Sequence, residues 1–167
     1  DASRESLAYD LAGNLIVRTD RAGKSITFAY DALNRLTKKT YSDATEVSYG
    51  YDKAGRLTSV TGAEGSTTFT WDATGRLTTV GYPGARSISY AYDKNGNRTG
   101  MTYPDGTVVN YTYDELNRLT AVKQGTVTLA AYGYDSLSRR TALNYGNGAG
   151  VSYTYDTLHR LTSITNP

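Results

Sequence analysis

The fold of this chain is decided by a short motif, which reads Tyr51-Asp52-Lys53-Ala54-Gly55-Arg56-Leu57-Thr58 in one of its clearest copies. An aromatic residue followed by aspartate recurs along the whole sequence. The aromatic residues of the eight copies are Tyr9, Tyr30, Tyr51, Trp71, Tyr92, Tyr113, Tyr134 and Tyr155. Successive copies lie 21 residues apart, except for 20 between Tyr51 and Trp71. A fixed period indicates a repeat array, and we call the aromatic residue of each copy position zero.

The residues before each position zero alternate in character. In the third repeat, Val47, Tyr49 and Tyr51 alternate with Ser48 and Gly50. A period of two is that of a β-strand with one apolar and one polar face. All 16 Tyr, 2 Phe and 1 Trp fall at position zero, two residues before it or eleven residues after it. Aromatic residues that recur in this way indicate a repeating sheet, and we expect them to form a layer on one face.

Each position-zero aromatic is followed by an aspartate that opens a turn. These aspartates are Asp10, Asp31, Asp52, Asp72, Asp93, Asp114, Asp135 and Asp156. Because a carboxylate accepts hydrogen bonds from nearby backbone N–H groups, we interpret them as turn residues and not as catalytic acids. The fourth turn residues are Gly13, Asn34, Gly55, Gly75, Gly96, Asn117, Ser138 and His159. We expect a positive φ at all eight, since glycine adopts it without steric cost and Asn tolerates it.

A second turn reverses the chain between repeats, and its clearest copy is Tyr103-Pro104-Asp105-Gly106-Thr107. A three-residue loop there pairs Met101 with Val109. For the Asp-led turn we expect a four-residue loop that pairs Tyr92 with Asn97, the position that Arg holds in most repeats. These two registers place the same residues on one face and predict an antiparallel meander.

The predicted fold is therefore all-β. Residues 1–167 are expected to form a single array of eight hairpin repeats, in one twisted sheet that curls because so many strands do not stay flat. A leucine recurs after the Arg or Asn that follows the Asp-led turn, and we expect it on the face opposite the aromatic layer. Its copies are Leu15, Leu36, Leu57, Leu77, Leu119 and Leu161. Neither end carries an atypical polar repeat, so we expect the ends to be covered by something else.

Composition excludes several classes of protein. The chain has 18 Lys and Arg against 16 Asp and Glu, and its arginines are evenly spread, so nucleic acid is not an expected partner. The absence of cysteine excludes disulfides and thiolate metal sites. Because no apolar run approaches about 20 residues, we expect no membrane-spanning helix.

The chain offers little for catalysis. His159 is the single histidine, it occupies a turn position, and no cysteine is available to pair with it. We therefore expect no enzymatic activity and no cofactor. Successive aspartates lie about 10 Å apart along the predicted sheet, too far to share a calcium ion, so no metal site is expected.

An arginine follows the Asp-led turn in most repeats. The series is Arg35, Arg56, Arg76, Arg118, Arg139 and Arg160. We favour a structural interpretation, in which each guanidinium stacks on a position-zero ring as part of a cation–π ladder. The alternative is a carbohydrate-binding stripe, because aromatic faces and arginine donors also suit sugars. Cell-surface glycans would then be partners.

The motif Tyr-Asp-x-x-Gly-Arg-Leu-Thr resembles that of the Rhs/YD repeat family. Residues 51–58 and 113–120 are close matches, and the resemblance covers the whole chain. The family includes bacterial Rhs proteins, C components of insecticidal toxin complexes, wall-associated proteins and the animal teneurins. In these proteins, β-hairpins spiral into a hollow shell that in bacterial toxins holds a C-terminal toxic domain.

The resemblance implies a structural segment of a secreted or cell-surface protein, expected to be bacterial. Its partners would be the remainder of the shell and an enclosed C-terminal domain of the same protein. The family's Asp-Pro self-cleavage motif has no counterpart in this sequence, so self-cleavage is not carried over. The alternative is a cell-surface adhesin or carbohydrate-binding stalk.

Overall fold

The computed structural model describes residues 4–166, and these residues form sixteen antiparallel strands with no helix. The strands are β1 (Ser6–Tyr9), β2 (Leu15–Thr19), β3 (Ser25–Tyr30), β4 (Leu36–Tyr41), β5 (Glu46–Tyr51), β6 (Leu57–Gly62), β7 (Gly65–Trp71), β8 (Leu77–Tyr82), β9 (Arg86–Tyr92), β10 (Arg98–Thr102), β11 (Val108–Tyr113), β12 (Leu119–Gln124), β13 (Val127–Tyr134), β14 (Arg140–Tyr145), β15 (Gly150–Tyr155) and β16 (Leu161–Thr165).

The strands form one open sheet in which each strand is a neighbour of the next in sequence. This order confirms the predicted antiparallel meander. The chain divides into two compact units, one that ends at Ser87 and one that begins at Ile88. Each unit contains complete hairpins built in the same way. Within residues 4–166, no helix is long and apolar enough to cross a bilayer.

The Asp-led turn is one residue shorter than predicted. In the third repeat, the Asp52 N–H donates to the Arg56 carbonyl at 3.0 Å, and the Gly55 N–H donates to the Asp52 carbonyl at 3.0 Å. The loop therefore has three residues and closes on a left-handed glycine, a common hairpin geometry. In the fifth repeat, Tyr92 accordingly pairs with Arg98 and not with Asn97, so that predicted register is wrong.

A β-bulge follows each of these turns. Tyr51 pairs with Leu57 and Gly50 pairs with Ser59, which leaves Thr58 as an extra residue on β6. The register shifts at the same place in all eight hairpins. A bulge adds one residue to one strand, and the alternation of its side chains moves by one from that point.

The bulge corrects the predicted position of the recurring leucine. Leu57 lies directly opposite Tyr51 and therefore shares its face, whereas we expected it on the other face. The threonine that follows turns to the polar face instead. There Thr78 Oγ1 lies 3.0 Å from Thr70 Oγ1 on the neighbouring strand, within hydrogen-bonding distance. The aromatic layer thus gains a leucine beside six of the eight turns, and in the other two repeats Arg98 and Arg140 lie opposite position zero.

The turns between repeats vary in length. The three-residue loop at 104–106 and the pairing of Met101 with Val109 are confirmed. The turn at 63–64 has two residues, because Gly62 pairs with Gly65. This shorter loop explains why Trp71 follows its predecessor by 20 residues. The turn at 125–126 is equally short, but the unpaired Leu129 on β13 restores the period of 21.

Few side chains are fully buried. Among the described residues, the buried hydrophobic side chains are Val80, Val109, Ala121 and Ala130, and no polar side chain is buried. The position-zero rings of the inner repeats are half-buried, and their environment comes from neighbouring strands of the same sheet. Contacts between adjacent repeats therefore replace the packed second layer of an ordinary domain.

Candidate functional site: the Asp-led turn edge

The aspartate of each Asp-led turn organises its own loop. Asp52 Oδ1 accepts hydrogen bonds from the backbone N–H groups of Ala54 and Arg56, at 2.9 and 3.0 Å. Its second carboxylate oxygen, Oδ2, accepts from Arg56 Nε at 2.7 Å. These contacts are those expected of a turn residue, and they occupy both oxygens of the carboxylate. The fourth residue of the turn, Gly55, has a φ of 81°.

The predicted positive φ is confirmed in all eight turns. The four glycines have φ between 81° and 89°. The values for the other side chains are 57° at Asn34, 59° at Asn117, 62° at Ser138 and 63° at His159. Even Ser138, which lacks an intrinsic preference for this region, follows the rule because the loop geometry requires it.

The same hydrogen bonds lower the pKa of the turn carboxyls. For Asp52, the backbone N–H and the side chain of Arg56 hold the pKa below its ordinary value of 3.8. For Asp93, the side chain of Asn97 is the main cause of a lowered pKa. A lowered pKa keeps these carboxylates ionised further into the acidic range than an ordinary aspartate, which suits a hydrogen-bond acceptor and not a general acid.

The arginine of one repeat also binds the next repeat. Arg56 Nη1 donates to the Asp72 carbonyl at 3.0 Å, and its guanidinium lies 5.8 Å from the centre of the Trp71 ring. Arg118 binds the Asp135 carbonyl at 3.0 Å and lies 4.9 Å from the Tyr134 ring. We call this arrangement the arginine clasp. The ring under each arginine belongs to the following repeat, so the cation–π contacts join repeats.

The clasp recurs within both units. Arg35 and Arg139 bind the corresponding carbonyls, and their guanidinium groups lie 4.6 and 4.7 Å from the next position-zero rings. Arg76 and Arg160 also donate to the carboxylates of their own turns, Asp72 and Asp156. One arginine side chain thus serves its own turn, the next turn and the next aromatic ring.

The far end of six of the position-zero rings makes a bond that the sequence analysis missed. Tyr51 donates its hydroxyl proton to the Leu36 carbonyl at 2.9 Å, and Trp71 donates from Nε1 to the Leu57 carbonyl at 2.8 Å. Equivalent bonds are made by Tyr30, Tyr113, Tyr134 and Tyr155. The accepting carbonyl lies at the bulge, where the regular ladder is disrupted.

A signal for this bond was present in the sequence. Position zero holds seven Tyr and one Trp but no Phe, whereas the position two residues earlier holds Phe28 and Phe69. Tyr and Trp share a donor at the far end of the ring, and Phe has none. The exclusion of Phe therefore marks the position at which a ring must also donate a hydrogen bond.

Two repeats replace the clasp arginine with asparagine. Asn14 Nδ2 donates to Asp10 Oδ2 and to Asn34 Oδ1, both at 2.9 Å. Asn97 makes the same bonds, at 2.9 Å to Asp93 and 2.8 Å to Asn117. In each case the next repeat supplies Asn as its fourth turn residue. The asparagine side chain is shorter than that of arginine and binds the asparagine side chain of the next repeat in place of the next turn's carbonyl.

The remaining two non-glycine turn residues face an arginine. Ser138 Oγ lies 3.2 Å from Arg118 Nη1, and His159 Nδ1 lies 3.5 Å from Arg139 Nη1. The His159 side chain is exposed at the hairpin tip, as predicted. This contact joins the seventh repeat to the eighth.

Other cations contact the aromatic layer outside the clasp. Lys39 lies 5.9 Å from the Phe28 ring and 5.7 Å from the Tyr49 ring. Arg98 lies 4.8 Å from the Tyr111 ring. The most exposed aromatics of the inner strands are at the second-turn edge. They are Tyr41, Tyr82, Tyr103 and Tyr145, at 37–46 % exposure.

Two surface depressions lie among the described residues. One, of about 210 Å³, is lined by Arg18, Lys24, Ile26 and Tyr41. No group of three or more potential metal ligands comes together within residues 4–166. A carbohydrate site would need hydrogen-bond donors that are available to a sugar. In the arginine series and the position-zero tyrosines, such donors bind carboxylates and backbone carbonyls. The geometry therefore favours the structural interpretation of the arginine series.

Comparisons with known proteins agree with this geometry. A family model described as RHS Repeat matches residues 9–46, 51–87, 82–108 and 92–126. No curated protein sequence matches the chain.

Similar solved structures include the TcdB2–TccC3–Cdc42 crystal structure, with a TM-score of 0.72, 17% identity and 96% of this chain covered. The TcdB2–TccC3–TEV structure has a TM-score of 0.73 at 14% identity over 99%. A Photorhabdus luminescens Tc holotoxin pore with mutant TccC3 has a TM-score of 0.72 at 16% identity over 95%. This chain spans about a tenth of the length of each of these chains.

Proposed function

The chain belongs to the RHS repeat family, and we propose that it forms a wall segment of a longer secreted shell that encloses or presents a C-terminal toxin domain. Its partners would be the flanking parts of that shell and the enclosed domain. We propose no enzymatic activity for the segment itself.

The observation that carries this proposal is the arginine clasp. The same three contacts are made by four arginines, each of which binds its own turn carboxylate, the carbonyl of the next turn and the next position-zero ring. They are Arg35, Arg56, Arg118 and Arg139. The turn carboxylates hold the arginines, and the arginines and the aromatic hydroxyls bind neighbouring repeats. Polar groups used to join one repeat to the next are what an extensible wall requires.

The similar structures support the proposal at the level of fold. A structure of TcdB2–TccC3 was also solved without a hypervariable C-terminal region, with a TM-score of 0.63 to this chain at 15% identity. In that protein the part that resembles this chain is therefore distinct from the variable C-terminal region. By analogy, we propose that the present repeats are a scaffold for a separate C-terminal domain.

The proposal is tested in the longer polypeptide that contains this segment. Limited proteolysis should cleave the region after the repeats more slowly than the same region expressed alone. Arg118→Ala, which removes one clasp, should speed this cleavage. Arg21→Ala, at an exposed turn between repeats, is the charge-matched control and should not change it. Equal cleavage rates with and without the repeats would refute an enclosing wall.

A further inference from the structure

Two repeats carry an arginine where the other six carry the leucine beside the Asp-led turn. Arg98 lies opposite Tyr92 on β10, and Arg140 lies opposite Tyr134 on β14. In both repeats the backbone carbonyl of this arginine accepts the hydroxyl proton of the next position-zero tyrosine, at 3.0 Å for Arg98 and 2.8 Å for Arg140. The backbone is therefore held as in the leucine repeats, and only the side chain differs.

Aromatic rings hold both guanidinium groups on the aromatic face. The Arg98 guanidinium lies 4.8 Å from the centre of the Tyr111 ring and 5.8 Å from that of Tyr90. The Arg140 guanidinium lies 5.2 Å from the centre of the Tyr132 ring. Both arginines are exposed, and among residues 4–166 neither guanidinium forms an ion pair or donates a hydrogen bond. Their N–H donors therefore remain available to a ligand.

Acidic side chains are almost absent from the strands. The sixteen described strands contain one acid, Glu46, which forms an ion pair with Lys38 on the polar face. In the second unit, strands β10 to β16 contain no acid, and the acids lie in turns. The aromatic face of the second unit thus presents two cations with no anion among the strand residues to neutralise them.

The surface between these two arginines is apolar. Leu119 and Val122 of β12 lie between them, with the Tyr111 ring opposite Val122. Arg98 and Arg140 occupy the same position of their repeats, four strands apart, which corresponds to about 19 Å at about 4.8 Å per strand. An extended polypeptide advances about 3.3 Å per residue, so about six residues span this distance. Side chains six residues apart in an extended segment also point to the same side.

We propose that the aromatic face of the second unit binds an extended acidic segment of polypeptide, in which carboxylates six residues apart are bound by Arg98 and Arg140. A guanidinium offers N–H donors in a planar fork that matches the two oxygens of a carboxylate. The rings beneath each guanidinium orient it before the ligand arrives, which lowers the entropic cost of binding. Apolar side chains between the two carboxylates would cover Leu119 and Val122. The inference goes beyond the proposed wall and does not depend on an enclosed toxin.

A polypeptide fits this surface better than a nucleic acid or an acidic polysaccharide does. Both of those polymers carry charges at short, regular intervals, whereas the two cations here are separated by apolar side chains. Stacking of bases needs free aromatic faces, but the arginines already lie over the rings of Tyr111 and Tyr132. Only a polypeptide combines isolated carboxylates with apolar side chains between them.

Fluorescence anisotropy with the purified chain tests the proposal. The probe is a labelled peptide with blocked termini, Glu-Ser-Leu-Ser-Leu-Ser-Glu, in which the glutamates and leucines share one side when it is extended. Replacing both glutamates by glutamine should weaken binding about tenfold or more, because the charge-assisted hydrogen bonds are lost. A peptide of the same composition with its glutamates five residues apart should also bind less tightly, because its carboxylates point to opposite sides.

Two variants locate the site on the chain. Arg98→Leu and Arg140→Leu introduce the residue that the other six repeats carry, so both should fold. Each should weaken binding of the glutamate peptide about tenfold and leave the glutamine peptide unaffected. Lys123→Ala is the charge-matched control, because Lys123 is exposed on the polar face of the same unit, opposite Asn110, and it should bind like the original chain.

Three outcomes would overturn the proposal. The first is equal affinity for the glutamate and glutamine peptides, and the second is an equal loss of affinity in Lys123→Ala and Arg98→Leu. The third is tighter binding of an oligogalacturonate or of single-stranded DNA than of the glutamate peptide, which would assign the face to a different polymer. None of these measurements involves the rest of a shell, so failure here is distinct from failure of the proposed wall.

Discussion

The Asp-led turns lie along one edge of the sheet and the second turns along the opposite edge, and these two edges differ in how constant their loop geometry is. At the Asp-led edge, all eight loops have three residues, end on a positive φ and are followed by the same bulge. At the second-turn edge, loops of two and of three residues occur in no regular order. The unpaired Leu129 compensates for one short loop. Because side chains link successive turns at the Asp-led edge, the geometry of those turns is constant, whereas the other edge tolerates loops of different lengths.

Acid should destabilise all of the Asp-led turns together, and we expect this loss of folding stability to be the largest effect. The folded-state pKa of turn carboxyls such as Asp31 and Asp114 is lowered by bonds to the following arginine. A depressed pKa contributes stability that is fully present above the unfolded value of about 3.8 and is lost as pH falls through the folded value. Urea unfolding followed by circular dichroism should give a stability that is nearly constant from pH 7 to about 5 and falls below about pH 4. A loss centred near pH 6 would contradict this assignment.

Removing an inner position-zero ring should be the most damaging single substitution. Tyr51→Ala deletes a hydroxyl that binds the Leu36 carbonyl, a ring under Arg35 and the contact with Leu57. We expect a loss of about 2–4 kcal/mol in the free energy of unfolding. Tyr103 lies at the second-turn edge and is 38% exposed, so Tyr103→Ala should lower the free energy of unfolding by about 1 kcal/mol or less. Equal losses would show that the two edges are energetically alike.

Breaking one clasp should have an intermediate effect. Arg118→Ala removes bonds to the Asp114 carboxylate and the Asp135 carbonyl, from a side chain that is 22% exposed. Solvent screening is partial at this exposure, and we expect about 1–2 kcal/mol in chemical denaturation. Arg21→Ala at the other edge should change stability by less than about 0.5 kcal/mol. A negligible effect of Arg118→Ala would mean that the clasp orders repeats without stabilising them.

The asparagine junction should be weaker than the clasp but measurably coupled. A double-mutant cycle of Asn14→Ala and Asn34→Gly measures the amide–amide bond of 2.9 Å between these residues. We expect a coupling energy of about 0.5–1 kcal/mol. Asn97→Ala combined with Asn34→Gly is the control, because Asn97 binds Asn117 instead. Additive effects in the first pair would show that the matched asparagines do not cooperate.

The smallest effect concerns the left-handed turn position. His159→Gly relieves a φ of 63° and gives up one long contact to Arg139, so stability should stay equal or rise by up to about 1 kcal/mol. Gly55→Val should lower it, since a β-branched residue is strained at a φ of 81°. A clear loss in His159→Gly would show that the histidine contact outweighs the strain. Thermal denaturation of both variants provides the comparison.

Local chemistry explains which parts of the fold could be predicted. The all-β class, the meander, the loop 104–106 and the positive φ values follow from residues within a few positions of one another. The register of the Asp-led turn and the face of Leu57 could not be predicted in the same way. Both depend on the bulge, which shifts the alternation by one residue and leaves almost no trace in composition.

The sequence by itself determined the period, the strands, the turn aspartates and the left-handed fourth residue, because each is a property of a short segment and its backbone. Only the tertiary structure decided what joins one repeat to the next. The Tyr51 hydroxyl and the Leu36 carbonyl are 15 residues apart in sequence, and Arg118 and Asp135 are 17 apart. Such bonds require strand pairing and bulges to bring distant atoms together, and the placement of those bulges is a property of the assembled sheet.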